Sequence, residues 1–152
     1  MAASAHYRPG GEDQGRGYAG SSRSAGYGTI AMPDHKAART ARTVVVAQIE
    51  DAEALDAIDA IAAVPGIDAL FVGRIDLTVT LGCESPDDPA VIAAVERIVA
   101  TCVAAGRPVG MFVSRSSDVA MWRDRGATLF LLGSDHGFVR EGAKALRAAT
   151  GL

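Results

Sequence analysis

Four short apolar runs, each followed by a stretch with helical spacing, constrain this chain more than any other feature. The runs fall near residues 43–49, 68–73, 108–113 and 127–133. They are rich in β-branched and other apolar residues and are bounded by polar residues or glycine, which reads as buried strands. Between the first two, Ala52, Leu55, Ile58, Ile61 and Ala62 recur at helical spacing before Val64-Pro65-Gly66-Ile67 ends the helix. Strand, helix and strand at this spacing form a β-α-β crossover. Repeated units of this kind imply an α/β fold with a parallel sheet, either open or curved into part of a barrel.

The later helices carry their own boundary signals. Asp88 is placed to cap a helix that starts at Pro89, where a missing N–H costs nothing. Ile92, Val95, Ile98, Val99 and Cys102 give that helix one apolar stripe, and Gly106 ends it. Ser116-Ser117-Asp118 starts the next helix and Gly126 stops it. The last helix follows Gly133-Ser134-Asp135, with Phe138, Val139, Ala143 and Leu146 on its apolar side.

Two acidic residues stand at the ends of adjacent strands, Glu50 after Ile49 and Asp76 just past Gly73-Arg74-Ile75. Ligands of parallel α/β folds bind at the carboxyl ends of strands, so both carboxylates should share one face, and the pair points to a metal site. Strand side chains alternate, which puts Gln48 on the same side as Glu50.

The remaining composition narrows the class. A net charge of −3 and few aromatics argue against nucleic-acid or membrane partners, and the chain reads as one soluble, cytoplasmic domain. Cys83 and Cys102 have no second pair and no His partner, so they read as free thiols rather than a zinc site. Residues 1–41 stand apart from the repeat at 42–152. Seven glycines lie between Gly10 and Gly28 with no hydrophobic period, which suggests a surface loop or tail. A weak helix from about Tyr27 to Ala41, interrupted at Pro33, is expected to follow.

Val46-Ala47-Gln48-Ile49-Glu50, then Pro65 through Gly82 with Gly73-Arg74-Ile75-Asp76-Leu77 at its centre, then Ala105-Gly106 ahead of a strand near Pro108, resemble the HpcH/HpaI aldolases. These are metal-dependent pyruvate aldolases related to the citrate lyase β-subunit. The glycine-rich start, with Tyr7-Arg8-Pro9, Arg16-Gly17 and Arg23 through Gly28, is similar to the loop that precedes the Gln-x-Glu strand in that family, so the resemblance covers nearly the whole chain.

The resemblance implies the C-terminal half of a (β/α)8 TIM-type barrel, about four strand-helix units. It implies a reversible cleavage of 2-keto-4-hydroxy acids to pyruvate and an aldehyde. Glu50 and Asp76 would be the protein ligands of a divalent cation, Mg²⁺, Mn²⁺ or Co²⁺. Gln48 would orient substrate or metal-bound water, and backbone N–H groups around Gly73, Ile75 and Asp76 would hold the keto-acid carboxylate. The family's proton-transfer His and its substrate-binding Arg have no matching position, so no catalytic acid or base is assigned. Half a barrel implies a homo-oligomer or a complex with a chain that supplies the first half. A silent remnant or binding protein and a citrate lyase β-like lyase of CoA esters are the other readings.

Several residues invite a functional role that weighs differently. Arg74 replaces a common family proline and reads equally as a salt-bridged surface residue or as an altered contact to a substrate carboxylate. Phe112 falls where the family resemblance places an apolar pocket wall but reads as an ordinary core aromatic, and Trp122 reads as packing against the barrel exterior rather than stacking on a base. Ser134-Asp135-His136 are consecutive and cannot face one another as a triad, so a helix cap is expected there.

Overall fold

A computed structural model describes residues 2–7 and 15–151. The glycine-rich stretch 8–14 lies outside the described residues. A short helix, α1 (Ala2–Ala5), and a 3-10 segment at Arg23–Gly28 precede α2 (Met32–Arg42). Pro33 does not interrupt this helix. It sits in the first turn, where proline fits the backbone and forfeits no hydrogen bond, so it starts the helix.

The repeat then runs β1 (Val46–Ile49), α3 (Ala52–Asp56), α4 (Ile58–Ala62), β2 (Ala69–Val72), α5 (Arg74–Thr80), α6 (Pro89–Ala104), β3 (Val109–Val113), α7 (Asp118–Asp124), β4 (Leu129–Leu132) and α8 (Asp135–Thr150). The four strands are all parallel and lie in the order β1-β2-β3-β4. The helix expected over 52–62 is divided at Ala57, whose backbone (φ −94°, ψ 11°) leaves the α region with no Gly or Pro to announce it. Helix α5 has no counterpart in the sequence reading. Its Ile75, Thr78, Val79 and Thr80 are β-branched and weak helix formers, and burial of Leu77 and Thr78 holds it in place.

One face of the sheet packs on the helices. Ala47, Ile49, Leu70, Val72, Val109, Met111 and Val113 are buried there, against the Val91, Val95, Ile98, Val99 and Cys102 stripe of α6. Each such aliphatic side chain contributes about 1.5–3 kcal/mol relative to exposure. Asp88 caps α6 as expected, accepting from the Ala90 N–H at 2.9 Å.

The opposite face is uncovered. Register aligns Gln48, Phe71, Gly110 and Leu129 across it, with Phe112 beside Leu131 one pleat further. Val46, Phe112, Leu129 and Leu131 are exposed. Helix α8 buries none of its residues, and its Phe138, Val139 and Leu146 face outward.

Candidate functional site

The uncovered face ends, at the carboxyl ends of β1 to β3, in a cleft of about 340 Å³. Gln48, Gly73, Ile75, Asp76, Pro86, Phe112 and Ser114 are among its lining residues. Alternation along β1 sends Ala47 and Ile49 into the core and Gln48 toward the cleft. The Gln48 amide Nε2 donates to Glu50 Oε2, which fixes the carboxylate on the same side. Glu50 does not itself line the cleft. It is half-buried just past Gln48, beside Gly73.

Gly73 joins β2 to α5 and permits this arrangement by having no side chain. A Cβ there would stand 2.8 Å from Glu50 Cβ, 3.0 Å from Gln48 Nε2 and 3.3 Å from Glu50 Oε2. Its N–H donates to Ile49 O at 2.9 Å and is therefore spent on joining β2 to β1. Of the three backbone groups expected to hold a carboxylate, those of Ile75 and Asp76 remain, in the first turn of α5, where N–H groups lack intrahelical partners. Asp76 is exposed and has no side-chain hydrogen bond or ion pair among the described residues.

Two carboxylates beside an open cleft suit a hard divalent cation that keeps positions free for a ligand. Among the described residues no three His, Cys, Asp or Glu side chains gather into a group that could hold a metal ion.

Arg74 lines the cleft but is not a free cation there. It is 9 % exposed, its Nη2 donates to the Pro86 carbonyl at 2.9 Å, and its guanidinium lies 5.4 Å from the centre of the Trp122 ring. Trp122 is fully buried among the side chains between the sheet and its helices, as expected, with Arg74 and Arg125 over its ring. Arg74 reaches Trp122 from another element, which is why the local sequence hid that contact, whereas Arg125 is the cap residue of the same helix. Phe112 is likewise not a core aromatic. Met111 and Val113 take the core positions of β3, and alternation turns Phe112 and Ser114 to the cleft. That alternation was the signal by which Phe112 and Ser114 could have been found.

The histidines lie elsewhere. His35 is buried against Tyr7 and Tyr18 in the N-terminal segment. His136 is exposed beside Asp135, while Ser134 accepts from the Gly137 N–H as the cap of α8.

A family model described as HpcH/HpaI aldolase/citrate lyase matches residues 5–142. The chain belongs to this family. It is 33% identical over 87 residues to the 4-hydroxy-2-oxo-heptane-1,7-dioate aldolase of Salmonella arizonae, a match covering 57% of this chain and 33% of that protein. It is 35% identical over 82 residues to the 5-keto-4-deoxy-D-glucarate aldolase of Escherichia fergusonii, covering 53% of this chain and 32% of that one. The crystal structure of a family member from Burkholderia cenocepacia superposes with a TM-score of 0.86 at 31% identity, covering 98% of this chain and 58% of the other. The matches thus span about a third of the curated relatives and somewhat over half of the solved structure. The parallel strands and flanking helices correspond to about half of a TIM-barrel-like arrangement. No helix among the described residues is long and apolar enough to cross a membrane.

Proposed function

We propose that this chain is the C-terminal half of a (β/α)8 aldolase and carries the cation-binding half of its active site. The observation that carries the reading is the placement of Gln48, Glu50 and Gly73 at the end of β1 and β2, with Asp76 on the adjoining cleft. Glu50 and Asp76 would hold Mg²⁺, Mn²⁺ or Co²⁺. Bound there, the cation would supply positive charge to a 2-keto acid as its C3–C4 bond breaks and the electron pair moves onto the enolate.

The chain's own groups have separable tasks. Gln48 holds the Glu50 carboxylate by its amide. The Ile75 and Asp76 N–H groups would hold the carboxylate of a keto acid. Phe112 and Pro86 supply apolar wall, which keeps water from the reacting carbons. Release of an aldehyde also requires a base for the proton of the 4-hydroxyl, and no histidine lines the cleft among the described residues. Proton transfer typically contributes ~10²–10⁴-fold, so this half alone is expected to turn over slowly or not at all.

The uncovered face made by Val46, Phe71, Leu129 and Leu131 supports the same reading, because an apolar sheet face with two unpaired edge strands calls for a covering layer. A polypeptide carrying the first four strands, or a second copy of this chain, would cover it. A binding protein without turnover is favoured over an active enzyme in the absence of such a partner. The two known aldolases in the comparison favour pyruvate-type aldol cleavage over the CoA-ester lyase alternative. The test is pyruvate release from 4-hydroxy-2-oxo acids with Mn²⁺, by the chain alone and after mixing with a family member's first half. Activity that appears with mixing supports the proposal; robust turnover by the chain alone, or none in the mixture, contradicts it.

A further inference from the structure

Arg74 makes a set of contacts that the site residues alone do not explain. Arg74 opens α5, two positions before Asp76, and lines the cleft, yet it is 9 % exposed and its guanidinium lies over the buried Trp122. There it donates to the Pro86 carbonyl at 2.9 Å. It also lies 3.5 Å from Asp87 Oδ1 and 3.8 Å from Asp118 Oδ2.

Arg115 closes the same set from outside. Its two terminal nitrogens donate to the two oxygens of Asp87 at 2.9 and 2.8 Å, and its Nε donates to Asp118 at 3.1 to 3.2 Å. Two cations and two anions therefore join three segments that are distant in sequence: the start of α5, the loop ahead of α6, and the end of β3 with the start of α7. Pro86 and Ser114, which flank this set, also line the cleft.

A guanidinium so far removed from water needs acceptors, because an unpaired buried charge is costly; its two terminal nitrogens have them, while Nε is buried without a hydrogen-bond partner. Arginine suits the task, since its planar fork reaches several acceptors at once and stacks on an aromatic ring. Retaining it beside the cleft fixes where α5 begins relative to the Pro86 loop. It thereby fixes Asp76, one turn-fragment further on.

We propose that Arg74 is a positioning residue: with Asp87, Asp118 and Arg115 it braces the α5 start against the Pro86 loop and so sets the placement of Asp76 at the cleft. The link to cation affinity rests on the proposed function above, whereas the brace itself does not. The experiment measures both in the full chain. Hydrogen exchange, followed by mass spectrometry without metal, compares the wild type with Arg74→Met, Arg74→Lys and the milder Arg115→Met.

Loss of the brace is expected to speed exchange about tenfold in both 74–80 and 84–88, while α6 stays protected. Mn²⁺ affinity, read by electron paramagnetic resonance, should fall about fivefold to tenfold in Arg74→Met and be partly restored in Arg74→Lys. Unchanged exchange in both segments for Arg74→Met and Arg115→Met overturns the brace. Faster exchange with unchanged Mn²⁺ affinity overturns its positioning role. If Arg74→Met fails to fold, Arg115→Met decides by the same two readouts. A wild type that binds no Mn²⁺ refutes the metal assignment instead, and the exchange result still decides the brace.

Discussion

Gly73 approaches Glu50 so closely that a single added methyl group would lie 2.8 Å from Glu50 Cβ. Contacts that short do not occur between real side chains, so either the carboxylate or the β2-α5 junction must move. Gly73→Ala is therefore expected to weaken Mn²⁺ binding by about tenfold or more. Gly82 provides the control: its φ of +69° disfavours a side chain, but nothing lies within 4 Å of the added atom. Gly82→Ala should cost about 1–2 kcal/mol of stability through its backbone and leave Mn²⁺ affinity alone. Calorimetric titration and thermal unfolding of both variants distinguish the two effects. Equal Mn²⁺ affinity in Gly73→Ala and wild type would count against the site.

Acidification offers a second check. Hydrogen bonding from Arg115, with the charges of Arg115 and Arg74, holds the Asp87 carboxyl below its ordinary value, and hydrogen bonds to Asp87 and Asp118 push Arg115 further up. A carboxyl depressed on folding stabilises the fold fully above its unfolded pKa of about 4, and that contribution disappears as pH falls through the lower folded value. Because Asp87 is half-exposed, the effect on global stability should be small. Trp122 is the single tryptophan and touches Arg74, so its fluorescence reports the cluster locally. Its emission should change below about pH 4 in the wild type, and at higher pH in Arg115→Met. Superimposable profiles for the two proteins would refute the coupling.

The two thiols should differ in reactivity. Cys102 is fully buried in the α6 stripe, and burial pushes its thiol up to about 11. Cys83 is half-buried and is also raised, by desolvation and then by Asp88. A disulfide-exchange reagent near pH 8 should label Cys83 slowly and Cys102 only after denaturant is added, since the thiolate is the reactive form. The raised Cys102 value also means that its stabilising contribution is present below the unfolded thiol pKa of about 8.5 and is lost as pH rises through about 11. Native labelling of both thiols at similar rates would contradict this packing.

The strand positions were legible because each run of Val, Ile, Leu and Phe is bounded by turn residues, and the α6 boundaries were legible because Asp88, Pro89 and Gly106 act locally. Helix α5 was not, since its β-branched residues have weak intrinsic preference and packing of Leu77 decides the outcome. The region of Glu50 and Asp76 followed from strand ends, but the engagement of the Gly73 N–H with Ile49 depends on the register between β1 and β2, which no local pattern fixes. Arg74 was unreadable for a similar reason. Its partners, Asp87, Asp118 and Trp122, come from separate segments that meet only in the folded chain.

The most direct test of the account is Mn²⁺ titration of the wild type, Glu50→Gln and Asp76→Ala, each with and without pyruvate. One Mn²⁺ per chain is expected for the wild type, bound more tightly when pyruvate is present because the two ligands share a site. Each substitution should weaken binding by about tenfold or more and diminish the pyruvate effect. Mn²⁺ binding of equal strength in all three proteins, or binding indifferent to pyruvate, would contradict the assignment of Glu50 and Asp76 to a keto-acid-binding metal centre.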